Sequence, residues 1–162
     1  MFIRKAVIQD IDNIQEIYKK AREYMKNTGN GGQWGNTHPP LEMLIEDIRV
    51  GQLYVGVFDD NEIHCVFAFL EGIDKTYLKI DGSWLNNDEY MTIHRIASDG
   101  KYRGVFGKCM DYCKEKCNNL RIDTHENNKT MQHVLEKCGF IRCGIIYLED
   151  GDPRIAYQYV KI

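Results

Sequence analysis

Residues 101–107, KYRGVFG, set two glycines and two cations directly after the strand-like run EYMTIHRIAS (89–98). A helical pattern follows, so the stretch sits at a strand-to-helix junction. There the first N–H groups of a helix have no intrahelical acceptor, and the aligned peptide dipoles add partial positive charge. Glycine lets the backbone approach an anion that a Cβ would hold away. Lys101 and Arg103 would add mobile positive charge. The chemistry on offer is capture of a phosphate-type anion; the competing reading is a solvated helix start with glycine in its entry turn. In the preceding run, period-two alternation puts Tyr90, Thr92 and His94 on one face, with Glu89 at its start. A histidine there titrates near neutrality and can exchange a proton with a ligand.

Other phosphate motifs are excluded. Gly107-Lys108 is followed by Cys109, and no glycine stands five residues before Gly107, so there is no P-loop; no GxGxxG occurs either. The repeated βαβ units of a dinucleotide fold are missing. Cys109, Cys113 and Cys117 recur every four residues and stack along one helical stripe. No CxxC pair or histidine at ligand spacing accompanies them, so the stripe is expected to pack into a core and no metal site is expected.

The elements that position these residues follow from apolar spacing. FIRKAVI (2–8) reads as a strand. Asp10 suits a helix N-cap before Ile11, Ile14, Ile17, Tyr18, Ala21 and Met25 at helical spacing. The glycine-rich break 27–40 leads into a short helix carrying Leu41, Leu44, Ile45 and Ile48. Residues 52–72 form a hairpin about a tight Asp-Asp-Asn turn, 73–88 are irregular, and 89–98 are a strand. Then come a helix over 103–117, a strand over 120–125 and a short helix over 129–138 stopped by Gly139. Strands over 140–148 and 154–162 finish the chain. The order β-α-α-β-β-β-α-β-α-β-β predicts an α/β (α+β) mixed sheet with helices on both faces.

The 162 residues suit a single domain spanning 1–162, and 43% apolar with 28% charged residues is the balance of a folded protein. A net charge of −3 excludes a global cationic field for nucleic acid or an anionic membrane. Arg4, Lys5 and Asp10 interrupt the apolar start, which argues against a signal peptide or membrane span. The expected compartment is therefore cytoplasmic.

The whole element order, with HRIASDGKYRGVFG before one helix and NN…VLEKCGF on the next, resembles the GCN5-related N-acetyltransferase (GNAT) superfamily over essentially the full chain. The resemblance implies that Lys101, Gly104 and Phe106 stand at the positions of the family's Q/R-x-x-G-x-G/A motif. Lys101, Tyr102, Arg103, Gly104, Val105, Phe106 and Gly107 would then bind the acetyl-CoA pyrophosphate. Phe106 replaces the second glycine, so its ring must turn toward the core. The resemblance further implies that the backbone of His94 and Ile96 meets the pantetheine and thioester, with an N–H near His94 as oxyanion donor. Asn128 would touch the cofactor arm.

The implied reaction is direct transfer of an acetyl group to a primary amine in a ternary complex. His94 or Glu89 is expected as the base. Leu135 occupies the family's tyrosine position and cannot protonate the leaving thiolate, which makes His125 a candidate, with His133 nearby. Tyr24, Gln33, Trp34 and Tyr90 are expected around the acceptor, a small-molecule amine first and a peptide or protein amine second. The alternative is a non-catalytic acyl-CoA-binding or sensing module. Neither nucleic acid nor membrane is expected as a partner, and a homodimer is left open.

Overall fold

A computed structural model describes residues 1–162, which divide into two compact units: Met1–Phe69 with Arg95–Phe106, and Leu70–His94 with Gly107–Ile162.

In the first unit, strands β1 (Phe2–Lys5), β2 (Leu53–Val57), β3 (Ile63–Glu71, as far as Phe69) and the Arg95–Ser98 half of β5 (Met91–Ser98) follow one another in the sheet. β1 and β3 both pair antiparallel with β2, in registers that include Arg4↔Val55 and Val55↔Val66. The first strand ends at Lys5 rather than at residue 8. After the Ala6 amide reaches the Leu53 carbonyl (2.8 Å), a 3-10 turn over Ile8–Asp10 takes the chain away. Asp10 stands at the N-cap of helix α1 (Ile11–Asn27), as its sequence position suggests, but its side chain makes no capping bond to the helix. Arg4 takes both of its oxygens, at 2.8 and 3.0 Å, and one of them also accepts the Val7 amide. The stripe Ile14, Ile17, Tyr18, Ala21 and Met25 is buried as the spacing requires. Helix α2 (Leu41–Arg49) starts after Pro40 and buries Leu44 and Asp47.

In the second unit the sheet order is β5 (Met91–His94), β6 (Asn119–Thr124), β8 (Pro153–Val160), β7 (Ile141–Tyr147) and β4 (Asp81–Gly82). β4 and a 3-10 turn over Lys75–Tyr77 lie in the segment read as irregular. β6, β7 and β8 pair antiparallel along their lengths. β5 and β6 are parallel and pair only as Met91↔Leu120 and Thr92↔Arg121, although β6 continues to Thr124. Helix α3 (Val105–Lys116) belongs to this unit from Gly107 onward, and α4 is Lys129–Lys137. Cys109 and Cys113 are fully buried free thiols, and burial pushes the Cys113 thiol well up, which fits a core stripe.

Candidate functional site

The halted pairing of β5 and β6 is the first element of the site. Beyond Thr92 and Arg121 the ladder stops, so the β5 backbone groups that face β6 there have no ladder partner on that strand. Arg95, farther along β5, has φ 52°, a left-handed conformation that costs a non-glycine residue about 1–2 kcal/mol. In the first unit its guanidinium Nη2 donates to the buried Asp47 (2.8 Å), and its carbonyl accepts from the buried Tyr18 hydroxyl (2.7 Å). Both helices of that unit therefore hold the distortion in place.

His94 is half-buried, and its Nε2 lies 2.6 Å from Asp74 Oδ2. Burial works against the Asp74 charge, but the bonds from His94 and from the Thr76 hydroxyl and amide outweigh it and bring the carboxyl down to about 2. An ionised Asp74 can only accept, so Nε2 is the ring nitrogen that donates to it and Nδ1 is the other ring nitrogen. Tyr90 is tied to the same carboxylate's residue, its hydroxyl accepting the Asp74 amide at 2.9 Å.

Tyr90 also lines a cavity of about 940 Å³ in the second unit, with Tyr77, Trp84 and Arg121 in its walls and Glu71 and Glu89 among its exposed residues. The Arg121 guanidinium lies between the Trp84 and Tyr90 rings, 4.1 and 4.0 Å from their centroids, and donates to the Asn86 carbonyl. Tyr77 donates to Asp123 (2.6 Å), and its ring is 6.0 Å from that of His94.

The remaining predicted acceptor residues lie in the first unit. Tyr24 is exposed, Gln33 accepts from Asn30 (2.8 Å), and Trp34 packs edge-on against Tyr18 at 5.6 Å. Trp34 thereby backs the tyrosine that pins Arg95, a link of long sequence separation with no local signal.

The loop entering α3 has the features of an anion cradle. Gly104 has φ 70°, and a Cβ there or at Gly107 would meet nothing within 4 Å. Arg103 is exposed, Val105 and Ile96 are buried, and the Phe106 ring is half-buried. Lys101 is engaged: its ammonium binds Asp60 at 2.9 Å. Tyr102 stacks on Phe58 at 4.4 Å. Asn128 spends its side-chain oxygen as the N-cap of α4, accepting the Met131 amide at 3.1 Å.

His125 is suited less to giving up a proton than to accepting a bond. Its Nδ1 accepts the Asn127 amide (3.0 Å), and burial followed by the Arg154 charge lowers its pKa. His133 is exposed on α4, and Leu135 is fully buried. The buried hydroxyls of Thr92 on β5 and Thr124 on β6 have no protein partner, and sequence reasoning singled out Thr92 only by its strand face and Thr124 not at all. A threonine in a strand carries no mark that distinguishes it from packing.

No protein-family profile and no curated protein matches the sequence. Among solved structures, a GNAT-family acetyltransferase from Streptococcus agalactiae is 34% identical with a TM-score of 0.91, over 99% of this chain and 95% of that one. A Staphylococcus aureus protein assigned as an acetyltransferase is 25% identical with a TM-score of 0.70, over 99% of both chains. A GNAT-superfamily phosphinothricin acetyltransferase from Sinorhizobium meliloti, solved in complex with acetyl-CoA, is 12% identical with a TM-score of 0.68, over 99% of this chain and 88% of that one. The expected mixed α/β fold is thus found, no helix is long and apolar enough to cross a membrane, and the chain belongs to the GNAT family of acetyltransferases.

Proposed function

We infer that the protein transfers an acetyl group from acetyl-CoA to the primary amine of a small molecule. The carrying observation is the break in β5/β6 pairing after Thr92, with the Asp74–His94 pair immediately beyond it. The residues present fit acetyl-CoA. Gly104 and Gly107 leave open space at a helix start, and Arg103 supplies an exposed cation there.

Acetyl-CoA, when bound, supplies the activated thioester. The protein's part is to orient and to move protons. An amine arrives largely protonated at neutral pH and must lose a proton to attack. Asp74 holds the His94 tautomer whose Nδ1 takes that proton, the part played by a carboxylate that orients a catalytic imidazole. The β5 backbone groups that face β6 beyond Thr92, where the ladder has stopped, offer polar partners to the pantetheine arm and a donor for developing negative charge. The cavity beside Tyr77 offers room for an organic acceptor, with Glu71 and Glu89 exposed at it and the Arg121 guanidinium already on the Trp84 and Tyr90 rings. Glu89 is exposed and is the weaker base candidate.

A second reading, an acyl-CoA-binding module without turnover, is favoured by one observation: Leu135 is buried and offers no proton for the thiolate. Incubating the whole chain with acetyl-CoA and a panel of small amines and peptides, with acetylated product detected by mass, separates the readings. Acetylation of small amines is expected. Preference for a peptide amine overturns the acceptor class, and no product with any amine supports the binding module.

A further inference from the structure

One buried imidazole joins the turn between β2 and β3 to the loop that enters α3. His64 Nδ1 lies 2.6 Å from Asp99 Oδ2, and its Nε2 lies 2.7 Å from Asp60 Oδ2. Both carboxylates also grip the loop. Asp99 Oδ1 accepts the Lys101 amide (3.0 Å), and the Asp99 amide donates to the His64 carbonyl (3.1 Å). Asp60 Oδ2 accepts from Lys101 Nζ at 2.9 Å, and the Tyr102 hydroxyl is 3.5 Å away. The Tyr102 ring stacks on Phe58 and meets the His64 ring edge-on at 5.0 Å. Residues 99–102 are therefore fastened to the hairpin through its backbone, its side chains and a ring stack, with His64 at the centre.

An imidazole with a carboxylate on each nitrogen can donate to both only as the imidazolium, because the neutral ring has one N–H. The charges facing it favour the proton. Asp60 and Asp99 touch it, and Glu62 brings a carboxylate oxygen within 4.8 Å of the Asp60 carboxylate and the His64 ring nitrogen. Lys101 is the opposing cation, and Tyr102 presents only a phenol. Burial works against the charge on His64, but the bonds to Asp99 and Asp60 prevail and its pKa is raised.

We propose that protonated His64 is a positioning residue that holds the loop from Asp99 to Gly104 in its anion-accepting conformation, so that loss of this proton weakens acetyl-CoA binding. The proposal rests on the reading of the α3 entry as the diphosphate cradle. The sign follows from the raised pKa. Below the ordinary histidine value of about 6.5 the clamp is fully formed, and it is lost as pH rises through the higher folded value. Above that point one carboxylate loses its donor and the loop loses a tether.

The test is acetyl-CoA affinity by calorimetry from pH 6 to 9 on the whole chain, wild type against His64→Gln. Amide exchange of residues 100–104 without ligand is followed in parallel. Gln keeps a hydrogen bond but cannot be protonated. The wild-type Kd is expected to rise about tenfold across the titration, whereas His64→Gln binds about tenfold more weakly at pH 6 and changes less. Phosphate titration of the ligand is common to both proteins and cancels in the comparison. Loop exchange in the variant should already be fast at pH 6. Parallel profiles with equal affinities overturn the positioning role and leave the cradle reading standing. Absence of wild-type binding at millimolar acetyl-CoA overturns both. Should His64→Gln not fold, Asp60→Asn, at a partly exposed carboxylate, must move the wild-type midpoint to lower pH; an unmoved midpoint overturns the proposal.

Discussion

Asp74 decides which proton His94 carries. A carboxylate brought down to about 2 is ionised throughout the working range and accepts from Nε2 only, so Nδ1 is the atom available for chemistry. His94→Ala should lower kcat by about 10²–10⁴-fold, the usual contribution of a positioned base, while acetyl-CoA affinity changes little. Asp74→Asn should also lower kcat, because an amide can donate to Nε2 and stabilise the opposite tautomer; Glu89→Gln should leave it near wild type. Steady-state kinetics on the three variants checks the ranking, and a kcat loss confined to Glu89→Gln makes Glu89 the base. His94 was legible in the sequence because period-two alternation put it beside Tyr90 on a strand ahead of the glycine loop. Its partner was not, since Asp74 lies 20 residues away in a segment without a period. The same limit hid His64 and Asp99, 35 residues apart. Nothing in the composition of HRIAS signals a left-handed arginine either. Tyr18 and Asp47 hold that conformation through tertiary bonds that oppose local preference.

Among the elements, strongly periodic ones were readable and side-chain-tethered ones were not. α1 shows its buried stripe in the sequence, and β3 reads as a near-continuous apolar run because Cys65–Phe69 are all buried. β4 is two residues long and depends on close backbone approach. A Cβ on Gly144 would stand 2.1 Å from the Asp81 carbonyl oxygen, and one on Gly82 would stand 2.2 Å from that of Cys143. Their φ values of 149° and 127° are also ones that side chains rarely adopt. Gly144→Ala should therefore part β4 from β7, losing the Asp81↔Ile145 pair and loosening the Tyr147–Asp81 bond of 2.8 Å. The clash is with backbone, which cannot turn aside as a long side chain can. A cost of about 2–4 kcal/mol is expected, seen as a fall in Tm of roughly 5–15 °C. Trp84, three residues from Asp81 and stacked on Arg121, should report the loosening by fluorescence. An unchanged Tm would mean that the short strand contributes nothing to the unit's stability.

At the scale of the whole molecule, net charge works against the ligand that the loop is read to hold. A chain of net charge −3 has no long-range attraction for a polyanion, so affinity has to come from a few local groups. Those are the first N–H groups of α3, the exposed Arg103 and the exposed Lys108. Neither compact unit is a continuous piece of sequence: the chain passes between them at Phe69/Leu70, His94/Arg95 and Phe106/Gly107. No single cut yields one of them, and ligand binding is best read on the intact chain as a shift in its unfolding. A ligand that binds only the folded state stabilises it by about 2.7 kcal/mol at a hundred times its Kd, or roughly 5–10 °C for a protein of this size. Acetyl-CoA should raise Tm by that amount at saturating concentration. The increment should shrink as salt rises, because the contacts that replace the missing global field are exposed charges open to screening. A Tm unmoved by millimolar acetyl-CoA would remove the cofactor from the reading. A shift indifferent to salt would assign the affinity to uncharged contacts rather than to the charges at the α3 entry.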